Sequence, residues 1–263
     1  MAIMSNFLSN SGLIFSKISK IKQENPSLSA RKRKLSGFLF SFSELHSGIR
    51  SQHFKAATMK QPVSPEESNR KEAFGLWMSS PMPMVTLTKT FDITHVVKRS
   101  RQKGLSPNML LCWCIGKAAS LTKEFYTIPE KGKLFRYNSL AINVIVNNTK
   151  GGINSCDIPY SDELETFCAE YTRLTVAART NCKSIFNEEH MIIGTSAMPA
   201  TELDSVVNQY TEMFCNPMLL WGKFRKGWFR TTLPISFQFH HVQMDGGHAA
   251  QFLENLQQTI YKL

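Results

Sequence analysis

A chain of 263 residues, 42% of them hydrophobic, is long enough to bury a substantial core in one large domain or two small ones. No run of eighteen apolar residues occurs, which excludes an obvious membrane-spanning helix, and the six cysteines (112, 114, 156, 168, 182, 215) form no CxxC pair, which excludes a zinc ribbon or a thioredoxin-type motif and suits free thiols in a reducing compartment. The net charge of +11 is unevenly spread: residues 1–58 hold nine Lys or Arg against only Glu24 and Glu44, while residues 59–263 hold 22 basic and 18 acidic residues, a balance that does not point to nucleic acid.

Residues 1–58 are Ser-rich and acid-poor, with no sustained periodicity. This composition is that of a disordered extension, of a transit-type targeting peptide or of a basic binding arm, and it keeps organelle targeting open beside a cytoplasmic location. The composition of a folded domain begins at Met59, so residues 59–263 are read as one domain.

In that domain, "VTLTKTFDITHVV" from Val85 alternates as a half-buried strand does, and Asp92 or Thr94 can cap the helix that follows. Residues 106–121, "SPNMLLCWCIGKAASL", are apolar nearly all round and predict a buried helix with Ser106 as N-cap and Pro107 at its first position. Glu130 to Lys133 reads as a hairpin turn, and "SLAINVIVNN" as a strand with Ile142, Val144 and Val146 on one face. Leu164, Phe167, Tyr171 and Leu174 recur at helical spacing within residues 160–180. "HMIIGTSAMP" is a further strand, and "LWGKFRKGWF", residues 220–229, reads as a Gly-punctuated turn. "TTLPISFQFHHV" alternates again, and Gly246-Gly247 leads into a helix burying Phe252, Leu256 and Ile260. Strands and helices interleave without a βαβ repeat, which predicts a two-layer α/β sandwich rather than a doubly wound sheet.

Three histidines and an aspartate crowd "HHVQMDGGH", residues 240–248. Successive strand residues face opposite ways, so His240 and His241 cannot share a cavity, and His241 has the parity of Phe237 and Phe239. Beside that apolar side a neutral imidazole is favoured, which selects His241 as a general base, with Asp245 orienting the ring or holding the loop. Two alternatives stay open on spacing alone: a metal held by His241, Asp245 and His248, and polar residues that merely close a strand.

The pattern HHxxxDGxHxxxFLxxLQQ, together with "NRKEAFGLW" (residues 69–77), Asp92-Ile93-Thr94, "GKLFRYNSL" and "TSAMP" in order, resembles the chloramphenicol acetyltransferase family over about residues 66–263. The resemblance implies a CoA-dependent acyltransferase fold with a mixed sheet, a homotrimer with the active site between subunits, and acetyl-CoA as co-substrate with no metal. It implies that His241 takes the proton from a small hydroxylated acceptor, chloramphenicol or another, that Ser196 hydrogen-bonds the oxyanion, and that Asp245 pairs with Arg70 in an architectural role. His248, on the first turn of the closing helix, is expected to be structural. The phosphates of CoA need cationic contacts, for which Lys223, Arg225 and Lys226 are the candidates.

The departures fall on the acceptor side. Leu220 stands where the family has threonine, Ala200 where it usually has tryptophan and Ala73 where it has histidine, so the transfer machinery looks intact and the acceptor is open. Two other readings compete. A dihydrolipoamide acyltransferase core would come with lipoyl and subunit-binding domains, of which the first 65 residues show neither. A non-catalytic scaffold with a basic arm would leave His241, Asp245, Arg70 and Ser196 without a reason to occur together.

Overall fold

The computed structural model describes residues 60–211 and 214–263, so the expectations for residues 1–58 lie outside the described residues. Strand β1 (Lys60–Val63), helix α1 (Lys71–Trp77), strand β2 (Met84–Asp92) and helices α2 (Thr94–Lys103) and α3 (Pro107–Ser120) open the chain. Strands β3 (Thr127–Glu130), β4 (Lys133–Tyr137), β5 (Leu140–Asn147) and β6 (Ile153–Pro159) follow, then helix α4 (Leu164–Asn181) and strand β7 (Met191–Ala197). Strands β8 (Met218–Trp221), β9 (Arg225–Lys226) and β10 (Thr231–His240) and helix α5 (Gly246–Lys262) complete it.

The main sheet runs β2-β10-β8-β7-β5-β6, with β9 beside the start of β10. Strand β7 is parallel to both β5 and β8 and the other pairs are antiparallel, so the sheet is mixed, as the sequence and its resemblance imply. A small second sheet, β1-β4-β3, holds the expected hairpin, with Lys131 and Gly132 both at positive φ between Glu130 and Lys133.

The sheet is packed from the helix side by α3, buried nearly all round because α2, α4 and α5 contact it together with β5 and β7. Ser106 caps it, its hydroxyl accepting the Met109 N–H at 3.5 Å, and Pro107 occupies the first turn, as the sequence predicts. Phe237 and Phe239 of β10 meet Phe252 of α5 and Phe125 in a cluster of fully buried rings whose neighbouring centroids lie 4.7–6.0 Å apart.

One expectation needs correction. Residues 220–229 do not form one turn: Leu220 and Trp221 end β8, a strand between β7 and β10 in the middle of the sheet. A four-residue strand buried between two others carries no readable alternation, and Gly222 suggests a turn. The alternating strand β10 is covered on both faces, because Leu233 to His240 are all buried. Residues 206–208 cover its polar side: Ser236 Oγ accepts the Val206 N–H at 2.8 Å, and Gln238 Nε2 donates to Asn208 O at 3.0 Å and to Thr86 Oγ1 at 3.1 Å. Pro234 is tolerated in this central strand because it falls between the stretch paired with β8 (residues 235–238) and the stretch paired with β9 (residues 231–232).

Gly116 of α3 has no room for a side chain, since a Cβ there would lie 2.4 Å from Tyr160 Cδ2. Gly→Ala at an open helix position gains about 1 kcal/mol. Gly116→Ala is expected instead to cost about 1–3 kcal/mol of stability through overpacking, read as a lower urea midpoint at unchanged slope. A raised midpoint would show that the Tyr160 ring yields freely.

Candidate active site

Strand β10 delivers two histidines to the turn of residues 241–245, and the structure treats them differently. His240 is 1% exposed; its Nδ1 accepts the Val242 N–H at 3.1 Å, and the Tyr210 ring lies at its edge. Burial, and then the charge of His241, pull its pKa down to about 4. His241 is only half-buried and lies face to face with Trp77, ring centroids 4.4 Å apart and planes 5° from parallel. Its N–H donates to Pro83 O at 2.8 Å, and its Nδ1 is buried with no hydrogen-bond partner among the described residues.

The desolvation that selects His241 from strand parity therefore belongs to His240. The strand ends at His240, so parity does not extend to the next residue, and both faces of the strand are covered. What distinguishes His241 is its place on the turn, against an indole.

The turn is held by Arg70, the residue preceding α1. Its guanidinium, with the side chain 12% exposed, donates from Nη2 to His241 O at 2.7 Å, from Nε to Val242 O at 3.0 Å and from Nη1 to Asp245 Oδ2 at 3.1 Å. Asp245 is the N-cap of α5: its Oδ1 accepts the N–H of Gly247 at 3.1 Å and of His248 at 3.3 Å. His248 completes a capping box, its Nδ1 accepting the Asp245 N–H at 3.4 Å, and its Nε2 lies 3.4 Å from Glu124 Oε1. Burial alone would raise the pKa of Asp245, but the His248 N–H bond, the charge of His248 and Arg70 together hold it below the usual carboxylate value. Both Asp245 oxygens are thus engaged, and among the described residues no group of three or more His, Cys, Asp or Glu could hold a metal ion, so the alternative His241–Asp245–His248 metal site has no counterpart in the geometry.

Ser196 is the penultimate residue of β7. It lies opposite Leu220 of β8, which lies opposite Ser236 of β10, five residues before His241. Two strand spacings and five residues of strand separate Ser196 from His241 by roughly 20 Å within one chain. Lys223, Arg225 and Lys226 lie toward the end of β10 remote from His241, since Arg225 and Lys226 pair with Thr232 and Thr231 at the start of that strand. Arg225 is already occupied: its Nη2 donates to Asp204 Oδ1 at 2.6 Å, and its Nε lies 3.5 Å from Glu202 Oε2. Lys223 and Lys226 are exposed. One end of β10 thus leads into the turn of His241, Arg70 and Asp245, the other end carries the cations, and Ser196 stands level with the middle of that strand.

Thiol chemistry is not offered by the buried cysteines, since burial raises Cys112 to about 12 and Cys114 higher still. Sequence reasoning gave no role to Trp77, Pro83, Glu124 or Gln243. Trp77 had a signal: it lies seven residues after Arg70, two helical turns along, on the side from which Arg70 reaches the same turn. Gln243, 1% exposed with neither amide atom hydrogen-bonded among the described residues, had none.

The mixed sheet with one helical layer and a histidine-bearing turn capped by an aspartate defines a two-layer α/β sandwich of the CoA-dependent acyltransferase type. Comparison with known proteins narrows this. Residues 62–257 match the family model of chloramphenicol acetyltransferase. Chloramphenicol acetyltransferase 2 of Escherichia coli is 25% identical over 196 residues, covering 72% of this chain and 91% of the relative. A chloramphenicol acetyltransferase of Clostridium perfringens is 25% identical over 198 residues, covering 73% and 94%. A solved chloramphenicol acetyltransferase superposes with a TM-score of 0.68 at 21% identity, over 77% of this chain and all of that one. The dihydrolipoamide acetyltransferase of Azotobacter vinelandii shares the fold at a TM-score of 0.55 and 20% identity, over 73% and 85%. The chain belongs to the chloramphenicol acetyltransferase family and is an acyltransferase.

The buried, neutral His240 makes stability depend on pH. Its folded pKa of about 4 lies below the ordinary 6.5, so between those values the unfolded chain binds a proton that the folded chain refuses. Stability is expected to be full above pH 6.5 and to fall as pH drops toward 4. Asp245 adds a further loss as pH falls through its own lowered value. His240→Asn, which keeps an acceptor for the Val242 N–H, should flatten the decline in urea midpoint between pH 6.5 and 4; a parallel decline in both proteins would assign the effect elsewhere.

Proposed function

We propose that this chain moves the acetyl group of acetyl-CoA to a hydroxyl of chloramphenicol or a similar small acceptor, without a metal, at a site completed between the subunits of a homotrimer. The observation that carries this reading is the His241 turn, fixed at three points by Arg70 and backed by Trp77. With Nδ1 buried, Nε2 is the nitrogen left to meet an acceptor. Nε2 takes the acceptor proton as the oxygen attacks the thioester carbonyl carbon. The Ser196 hydroxyl donates a hydrogen bond to the resulting oxyanion. The tetrahedral intermediate then collapses, the C–S bond breaks, and the imidazolium returns the proton to the departing CoA thiolate. A thioester is activated enough that the residues need supply only a base, an oxyanion donor and position.

Distance supports a site shared between subunits: a serine some 20 Å from its base serves the same reaction only if a neighbouring subunit supplies it. The acceptor is the less defined substrate. Leu220 is buried in β8, Ala200 is exposed, and Ala73 sits one helical turn before Trp77, so the three departures change surfaces on both sides of the transfer site.

Thiol release from acetyl-CoA by the full chain should require chloramphenicol or another hydroxylated acceptor. His241→Ala should lower the rate about 10²–10⁴-fold. Ser196→Ala should lower kcat about 10²–10³-fold with little change in KM. Release independent of acceptor, or unchanged in His241→Ala, would remove the base.

The two inactive variants also test the assembly. Co-expressed His241→Ala and Ser196→Ala chains should regain activity well above either alone, because mixed trimers contain interfaces with an intact histidine and an intact serine. Activity no greater than the sum of the two would place both groups in one subunit.

A further inference from the structure

The hairpin joining β9 to β10 concentrates positive charge and apolar surface in one short stretch. Residues 223–230 hold Lys223, Arg225, Lys226 and Arg230 with no carboxylate among them. Lys226 pairs with Thr231, and the Gly227 N–H donates to Arg230 O at 2.8 Å, which closes the turn and leaves Trp228 and Phe229 at its tip. Trp228 is 99% exposed and Phe229 93%, while no other large apolar side chain among the described residues exceeds 75%. Two adjacent aromatic rings held in water by a hydrogen-bonded turn are favoured by contact with an apolar phase.

The cations around the tip divide by what already holds them. Arg225 is bound to Asp204 and Glu202 and anchors the base of the hairpin. Arg230 has only a long contact to Asp92, 3.8 Å, and its side chain is 76% exposed. Lys223 and Lys226 are exposed too. The rings therefore protrude from a rim of solvated positive charge, the complement of an apolar layer covered by anions.

We infer that the Trp228–Phe229 tip seats this protein on an anionic lipid surface, the two rings entering the headgroup layer while Lys226 and Arg230 meet lipid anions. Size favours a bilayer over a protein partner. A stable protein interface takes about 800 Å² from each side, whereas one aromatic side chain supplies about 150–250 Å². Shape favours it over nucleic acid, because both rings stand out from a convex tip and a single strand is held in a groove that tracks its backbone. Tryptophan also has the ring best suited to the water–hydrocarbon boundary. From Thr231 to His240 the strand runs roughly 30 Å, so a surface met at the tip leaves the His241 turn away from it. The inference does not depend on the acetyl-transfer reading.

The test is co-sedimentation of the full chain with vesicles of phosphatidylcholine alone and of phosphatidylcholine with phosphatidylserine. The parent should partition onto the phosphatidylserine vesicles far more strongly. Trp228→Ser/Phe229→Ser should lower that partition at least about tenfold, and Arg230→Ser about fivefold. Residues 1–58 are basic as well, but they are the same in parent and variants, so the difference reads the tip. Trp228→Phe should keep the partition within about twofold while losing most of the tryptophan quenching that acyl-chain-brominated lipid produces in the parent. Because the tip is exposed, these variants should keep the urea midpoint of the parent.

Equal partition of the parent and Trp228→Ser/Phe229→Ser overturns the inference, as does partition indifferent to phosphatidylserine. It also falls if the double variant changes the sedimentation coefficient in the absence of lipid, which would make the tip a contact between copies of this chain. Binding of a single-stranded oligonucleotide that the double variant loses, with vesicle partition unchanged, would instead make the tip a stacking platform for bases.

Discussion

Arg70 makes three hydrogen bonds to the turn that follows β10, and the geometry around His241 depends on them. Two go to the backbone carbonyls of His241 and Val242 and one to the Asp245 carboxylate, so a single planar cation fixes both the start and the finish of a five-residue turn. Charge-assisted bonds of this kind are stronger than neutral ones and strengthen further where water is scarce. Asp245 then carries the order into α5 through its cap, and His248 closes that cap by accepting the Asp245 N–H. The imidazole is placed by the backbone and by the indole behind it, with no carboxylate bonded to its Nδ1 among the described residues.

The sheet determines what one subunit can and cannot do. His241 emerges at the end of β10, whereas Ser196 stands two strands away, level with the middle of β10, and the cationic turn lies at its start. No rotamer change spans that distance. The separation of Ser196 from His241 is therefore a property of strand register, and register is hard to alter because a one-residue slip would turn the Phe237 and Phe239 rings out of their aromatic cluster and onto the polar side of the strand.

Much of this was legible in the sequence, for physical reasons that can be named. Helices α4 and α5 announced themselves by periodicity and α3 by being apolar nearly all round, with Ser106-Pro107 marking its start. The Arg70–Asp245 pair was reachable only through resemblance, since no local pattern links residues so far apart, and its geometry then matched. Two features escaped for definable causes. Strand β8 is too short and too buried to alternate. The histidine assignment used strand parity one residue past the point where the strand ends, and parity alone does not show that residues 206–208 cover the other face.

Residues that touch in the site come from the two extremes of the folded part: Arg70 and Asp245 are 175 positions apart. During synthesis the chain emerges from its N-terminal side, so α1 and β2 must wait, with their partners absent, until β10 and α5 have left the ribosome. Strand β2 pairs only with β10 in the described sheet and is therefore an unpaired edge throughout that interval. The turn bearing His241 is consequently among the last parts of the subunit able to form, and any chain released before its final helix, however much of the sheet it has built, lacks the anchor on which that histidine is mounted.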